Sequence, residues 1–338
     1  MTRRVSLKQL AQHLGMDVST VSRALRDDPR VKPETTRTIR RLAKEMGYRP
    51  NVAARALRGG KTGRVAVLLS PPQQRFASPI FLELLATLDQ SLREKDNTLA
   101  VFAARRREEE LGIVRSIVED RLADAVVLGR TRQADERVRY LLGAGFPFVT
   151  FGRTAWQDRH SWVEIDYRKA GVIAVAALAE SRPDALAIVT APEGLRFADN
   201  YLEGAIAEAR RLALPEPSVF RIEMTEEEGE KAGRNLLAGA GRLAIACIQD
   251  SLAFGVYRAA AQLGVSLGRD AAIFGGQNFP GSEHTAPPLS TFSTEDSRVA
   301  RLLTRVMLNR LENDADPTFE SHVIEPRPLL RGSHLFTG

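Results

Sequence analysis

Apolar residues in the first 48 positions recur at helical spacing. In SLKQLAQHLG, Leu7, Leu10, Ala11 and Leu14 share one helix face, with Ser6 placed to cap the start and Gly15 to end it. After Met16 and Asp17, a second short helix is predicted over VSTVSRALR, its buried face Val21, Ala24 and Leu25. A third, over KPETTRTIRRLAKEMGY, starts at Pro33 and turns Ile39, Leu42, Ala43 and Met46 inward. Helix, tight turn, helix and then a third helix make a helix-turn-helix unit. The following NVAARALRGGKTGR is a helical pattern too short to be stable alone and closed by two glycines; it reads as a hinge.

From Arg64 the period changes. Short apolar runs stand at 64–70, 98–104, 124–129, 147–152, 162–166, 185–191, 219–224, 243–249 and 271–276, with helical patterns between most of them. Such alternation predicts an α/β body of parallel sheets covered on both faces. Nine strands suit two doubly wound lobes better than one sheet. The irregular RTAWQDRHS (153–161) and QNFPGSEHTAPPLS (277–290) read as crossovers between the lobes. The helix TEDSRVARLLTRVMLNRLEN then returns to the first lobe, followed by a strand in FESHVIEP. The expected organisation is a helix-turn-helix domain at 1–50, a hinge and linker at 51–63, and a core at 64–338. Within the core, lobe one takes 64–153 and 290–325, lobe two 162–277, and a tail 326–338.

Charge separates the two parts. Residues 1–64 hold 16 basic and 5 acidic side chains, a balance of +11, while the remaining 32 basic and 37 acidic give −5. A small basic head on a mildly acidic body points to a polyanion bound by the head. The single cysteine, Cys247, cannot form an internal disulfide, and MTRRVSLKQLAQHLG lacks the apolar core of a signal peptide. No apolar run reaches the roughly 18 residues of a membrane span. The expectation is a cytoplasmic protein away from the membrane.

The head also carries a specific resemblance. TVSRAL, V-x-x-E-T-R, GYRPN and AR-x-L occur in order, and the segment from Val5 to Leu57 resembles the DNA-binding head of the lactose-repressor (LacI/GalR-type) family. The alternating body resembles that family's periplasmic-binding-protein-like core, so the likeness spans essentially the whole chain. It implies a transcriptional regulator, a repressor of carbohydrate-utilisation genes, acting as a homodimer on near-palindromic double-stranded DNA and controlled by a small sugar-like effector between the lobes. The resemblance assigns base reading to Val18, Ser19 and Arg23. An arginine there can donate two hydrogen bonds to guanine, worth ~1–3 kcal/mol of discrimination. Thr20 and Ser22 are expected to meet phosphates, which fix register. Asp17 stands where the family more often has serine; it is expected to cap the helix but to repel phosphate. In the hinge, Asn51 is expected on phosphate, Ala54 and Arg55 in the minor groove, and Leu57 as the apolar wedge that kinks the duplex.

For the effector, the resemblance places Asp250, at the end of CIQD, as a ligand carboxylate, with helix capping as its compatible bland role. Tyr201 replaces the family's usual arginine in RFADNYLEG and favours stacking on a sugar face. Phe197 and Asn200 accompany it. Phe81, Arg153 and Asp166 match cleft or cleft-edge positions, and Arg153 keeps an acidic sugar open. Gln277 stands in FGGQNF where an acid is more usual, which favours an uncharged polyhydroxyl ligand.

No catalytic residue, metal site or cofactor is implied. GGKTG lacks the first glycine of a phosphate loop and GAGR lacks the third of a dinucleotide fingerprint. A sugar-binding transport component would share the body but not the basic head. An enzyme of sugar metabolism would need a nucleophile–base pair, which the sequence does not offer. The tail RPLLRGSHLFTG has no heptads to build a tetramer.

Overall fold

A computed structural model of the chain describes residues 5–25, 28–48, 61–69, 79–238, 241–313 and 318–336. Two units divide between Thr62 and Gly63.

In the first unit, α1 (Leu7–Leu14) opens with a capping box in which the Ser6 hydroxyl accepts from the Gln9 N–H and the Gln9 side chain accepts from Ser6. Gly15 ends it at φ 62°, a left-handed turn. Then come α2 (Val18–Ala24) and α3 (Pro33–Glu45), the latter started by its proline. Leu10, Ala11, Val21, Ala24, Ile39 and Ala43 bury the centre of this three-helix unit. Asp17 stands at the start of α2, but its side chain makes no capping bond, contrary to the sequence expectation.

The second unit begins with β1 (Arg64–Leu69), α4 (Pro79–Glu94), β2 (Thr98–Ala103), α5 (Glu110–Glu119), β3 (Ala125–Leu128), α6 (Glu136–Ala144), β4 (Phe148–Phe151) and β5 (Ser161–Ile165). A second run follows: α7 (Tyr167–Ala179), β6 (Ala185–Thr190), α8 (Arg196–Arg211), β7 (Ser218–Arg221), α9 (Glu226–Leu237), β8 (Leu243–Cys247), α10 (Asp250–Leu263) and β9 (Ala271–Phe274). The chain finishes with β10 (Thr291–Ser293), α11 (Asp296–Glu312), β11 (Ser321–Ile324) and β12 (Arg327–Leu329). Six parallel strands in the order β11-β5-β4-β3-β1-β2 form the first lobe's sheet, and four in the order β7-β6-β8-β9 form the second's. Strands such as Ala125–Leu128 and Leu243–Cys247 are buried along their whole length, as sheets with helices on both faces require. α11 returns to pack beside α4.

Two boundaries differ from the sequence reading. β5 belongs to the first sheet, where Ser161, Trp162 and Val163 pair with Val149, Thr150 and Phe151. Residues 153–160 are therefore a long loop inside lobe one, and the first crossover lies at Asp166. The loop is fixed by buried His160, whose ring meets Thr150, Thr154 and the Ser161 carbonyl at 3.0–3.4 Å. The second difference is the tail. β12 pairs antiparallel with β10, and Ser333 exchanges hydrogen bonds with Ile273 of β9. Residues 331–334 are thus part of lobe two, and three connections cross between the lobes.

Candidate functional sites

The short helix α2 turns Val21 and Ala24 into the head's core, which leaves Val18, Ser19 and Arg23 exposed and Thr20 and Ser22 half-buried. The residues predicted to read bases thus share the outward face. Exposed Lys8, Lys32, Arg37, Arg40, Arg41 and Lys44 surround the unit with positive charge. The hinge residues Asn51, Ala54, Arg55 and Leu57 lie outside the described residues.

The second unit has a cleft at the carboxyl ends of its strands, where parallel sheets leave room for ligands. Its volume is about 660 Å³, counting the solvent-facing mouth. Lobe one contributes Ile80 from α4, Arg130 and Thr131 after β3, Phe151 and Gly152 at the end of β4, and Glu164 and Ile165 from β5. Lobe two contributes Tyr167 from the first turn of α7, Phe197 from α8, Met224 after β7, Gln249 after β8 and Gln277 after β9.

A polar relay lines the lobe-two wall. The Ser251 hydroxyl donates to Gln249 Oε1 (2.8 Å), Gln249 Nε2 to Gln277 Oε1 (3.0 Å), and Gln277 Nε2 to the Tyr167 hydroxyl (2.7 Å). The Tyr167 and Phe197 rings lie 5.2 Å apart, tilted, as an aromatic surface beside the amides. Opposite, Arg153 binds the Glu164 carboxylate through its backbone N–H (2.9 Å) and its guanidinium (2.6 and 2.8 Å), which raises the arginine's pKa. The Arg130 guanidinium is nearly buried and faces Glu223 across the cleft at 3.9 Å; burial lowers its pKa. The Arg196 N–H donates to the Thr131 carbonyl at 2.9 Å, a second link between the lobes.

Of the predicted effector residues, Phe197 and Gln277 line this cleft. Asp250 does not: its carboxylate is wholly buried and accepts four hydrogen bonds from the chain itself. That burial pushes its pKa up to about 6 against the pull of the four donors. Tyr201 is also fully buried, in the lobe-two core near Phe292, and its hydroxyl has no hydrogen-bond partner among the described residues. Asn200 is buried on α8, and Phe81 packs into the lobe-one core while its neighbour Ile80 lines the cleft. Asp166 caps α7 by accepting from the Lys169 N–H (2.9 Å). Arg153 reaches the site only through Glu164. The residues that sequence reasoning missed are chiefly Gln249, Tyr167, Glu164 and Arg130. Three of them stand within a few positions of a chosen candidate, Gln249 and Tyr167 immediately beside one.

Residues 6–51 match the family described as bacterial regulatory proteins, lacI family, and residues 161–334 match the periplasmic binding protein-like domain. The HTH-type transcriptional regulator AglR of Rhizobium meliloti (strain 1021) is 31% identical over 319 residues, covering 90% of this chain and 89% of that protein. The HTH-type transcriptional regulator CelR of Thermobifida fusca is 26% identical over 343 residues, covering 98% and 97%. Among solved structures, a transcriptional regulator CelR–cellobiose complex superposes with a TM-score of 0.71 at 23% identity, covering 98% of this chain and all of that one. A lac repressor dimer bound to operator and the anti-inducer ONPF gives a TM-score of 0.80 at 17% identity, with the same coverage. Members of this family are transcriptional regulators and not enzymes. With an exposed second helix on a basic head, and two doubly wound lobes around a cleft, the chain belongs to the lacI family of DNA-binding transcriptional regulators.

Proposed function

We propose that the protein represses carbohydrate-utilisation genes as a homodimer on a near-palindromic operator, and that an uncharged sugar in the cleft sets its affinity for DNA. The observation that carries this reading is the Gln249–Gln277 amide pair beside the Tyr167 and Phe197 rings. Amides both donate and accept, as neutral hydroxyls do, and aromatic faces suit the apolar face of a sugar ring. Arg23, Ser19 and Val18 read bases; Thr20 and Ser22 meet phosphates. Asn51 meets phosphate, and Ala54, Arg55 and Leu57 serve the minor groove once two subunits pair. The sugar acts by binding one arrangement of the lobes better than the other. Arg130 supports a second reading, an acidic effector, because a nearly buried guanidinium faces the same cleft.

The experiment is operator selection from random duplexes, followed by anisotropy titration with and without cellobiose, maltose and ribose. Arg23→Ala is expected to weaken the selected site by roughly 5- to 150-fold while leaving random DNA nearly unchanged. Equal losses on both DNAs would remove Arg23 from base reading. Operator affinity indifferent to every sugar would remove the effector assignment.

A further inference from the structure

The Asp250 carboxylate binds the backbone on both sides of Gln277 and Asn278. Its Oδ1 accepts from the Gly276 N–H (2.6 Å) and the Thr291 hydroxyl (2.8 Å). Its Oδ2 accepts from the Phe279 N–H (2.7 Å) and the Ser282 hydroxyl (2.6 Å). The two backbone donors bracket Gln277 and Asn278. Both of those residues are left-handed, at φ 79° and 50°, a conformation that a long side chain such as glutamine adopts at a cost and holds only where its surroundings impose it. The Thr291 hydroxyl does double duty, donating to Asp250 and accepting from the Asn278 N–H at 3.3 Å. Arg331 Nη2 closes the ring on Asn278 Oδ1 at 2.7 Å. The approach leaves no room for side chains before the turn. A Cβ on Gly275 would stand 2.1 Å from Asp250 Oδ1, and one on Gly276 would stand 2.2 Å from the Ile248 carbonyl.

With both oxygens taken by the chain, Asp250 has little left to offer a ligand. What it fixes is the backbone that aims Gln277 at Gln249 and Tyr167. We infer that Asp250 is a positioning residue of the cleft: its carboxylate imposes the left-handed turn at Gln277 and Asn278, and so presents the Gln277 amide to the effector without touching the effector itself. The inference rests on the reading of this cleft as the effector site.

The test has a ligand-free arm and a ligand arm. The full-length protein is labelled with ¹⁵N-glutamine, and the Gln277 side-chain amide signals are assigned by their loss in Gln277→Glu. Asp250→Asn is expected to move these signals to solvent-like positions while those of exposed Gln9 stay in place. Adding Asn278→Gly, which lowers the cost of the left-handed turn, is expected to restore them. A merely structural role for Asp250 in α10 predicts no such rescue. Unmoved Gln277 signals in Asp250→Asn, or signals that Asn278→Gly does not restore, would overturn the inference. Should Asp250→Asn not fold, Thr291→Val removes one donor and the Asn278 acceptor together and is expected to shift the same signals; unchanged signals there would overturn it equally.

In the ligand arm, cellobiose, maltose and ribose are titrated calorimetrically. A sugar that binds the wild type is expected to bind Asp250→Asn about tenfold more weakly, the loss of a misplaced hydrogen-bonding group. Unchanged affinity alongside moved amide signals would refute the positioning role. If no sugar binds the wild type, the effector reading fails, while the ligand-free arm still decides whether Asp250 sets the turn.

Discussion

A buried guanidinium holds the lobe-one lip of the cleft. Arg137 is almost wholly enclosed, pairs with Asp135 at 2.7 Å and Glu110 at 2.9 Å, and donates to the carbonyls of Gly129 and Arg130. Burial opposes its charge, but the two carboxylates more than compensate and leave its pKa raised. Because Arg137 grips the carbonyls of residues 129 and 130, it sets the path of the loop that carries Arg130 and Thr131 into the cleft. Arg137→Met takes the guanidinium from buried Asp135 and leaves buried Glu110 with Arg132 alone, and is expected to cost ~3–5 kcal/mol in urea unfolding. Asp135→Leu in the same chain should recover part of that loss; a loss below ~1 kcal/mol would mean the cluster is a bystander. The sequence reading named none of Arg130, Arg132 and Arg137, because nothing in a run of surface-type charges marks which of them fold inward. The effector candidates show a different failure. Asp250, Asp166 and Arg153 were chosen, while Gln249, Tyr167 and Gly152 line the cleft. Where a strand gives way to a helix, neighbouring side chains point in different directions, so a displacement of one position exchanges cleft for interior. The resemblance drew the reading to the acid in CIQD; direction gave the place to the glutamine before it. In the head, three-residue helical spacing separates faces more widely, and Val18, Ser19 and Arg23 emerged exposed as the pattern required.

Among the elements, helices and most strands followed from their periods, because Leu, Val and Ile runs of strand length between amphipathic helices admit few other arrangements. The assignment of strands to lobes did not. β5 was placed after the crossover because RTAWQDRHS looks like a linker, yet His160 against Thr150 and the pairing of Ser161–Val163 with Val149–Phe151 tie it to β4. Loop appearance carries no record of which sheet receives the next strand. The tail was set apart from both lobes at 326–338. Its attachment is instead by hydrogen bonds: Ser333 to Ile273 and Ser290, Arg331 to Leu289 and Asn278, and β12 to β10. Removing residues 327–338 is therefore expected to destabilise lobe two by on the order of 2–4 kcal/mol, a few uncompensated hydrogen bonds. It should also expose the 275–296 crossover to proteolysis. Urea unfolding together with mapping of the first protease cut checks this, and an unchanged cleavage pattern would show that the tail is dispensable.

The whole molecule couples a basic head to a body whose lobes are bridged across one cleft. A ligand that fits the cleft stabilises the native chain by mass action, ~2.7 kcal/mol at one hundred times its dissociation constant. For a unit of this size that is a rise of roughly 5–10 °C in melting temperature. Cellobiose, maltose, ribose and an acidic sugar are the compounds to compare. A rise with a neutral sugar alone fits the amide pair, a rise with the acid alone fits Arg130, and no rise with any would remove sugars as effectors. The order of the strands has a consequence for the making of the protein. All four strands of the second sheet lie between Ala185 and Phe274, whereas β5 finds its neighbour β11 only at Ser321–Ile324. During synthesis the four-stranded sheet of the second lobe can form first, ahead of β12 and residues 331–334 that complete that lobe. The first must wait, its β5 an unpaired sheet edge while more than about 150 further residues are translated. A chain that stops short of residue 321 carries that open edge permanently, as a row of unpaired backbone groups free to take up a strand from another chain.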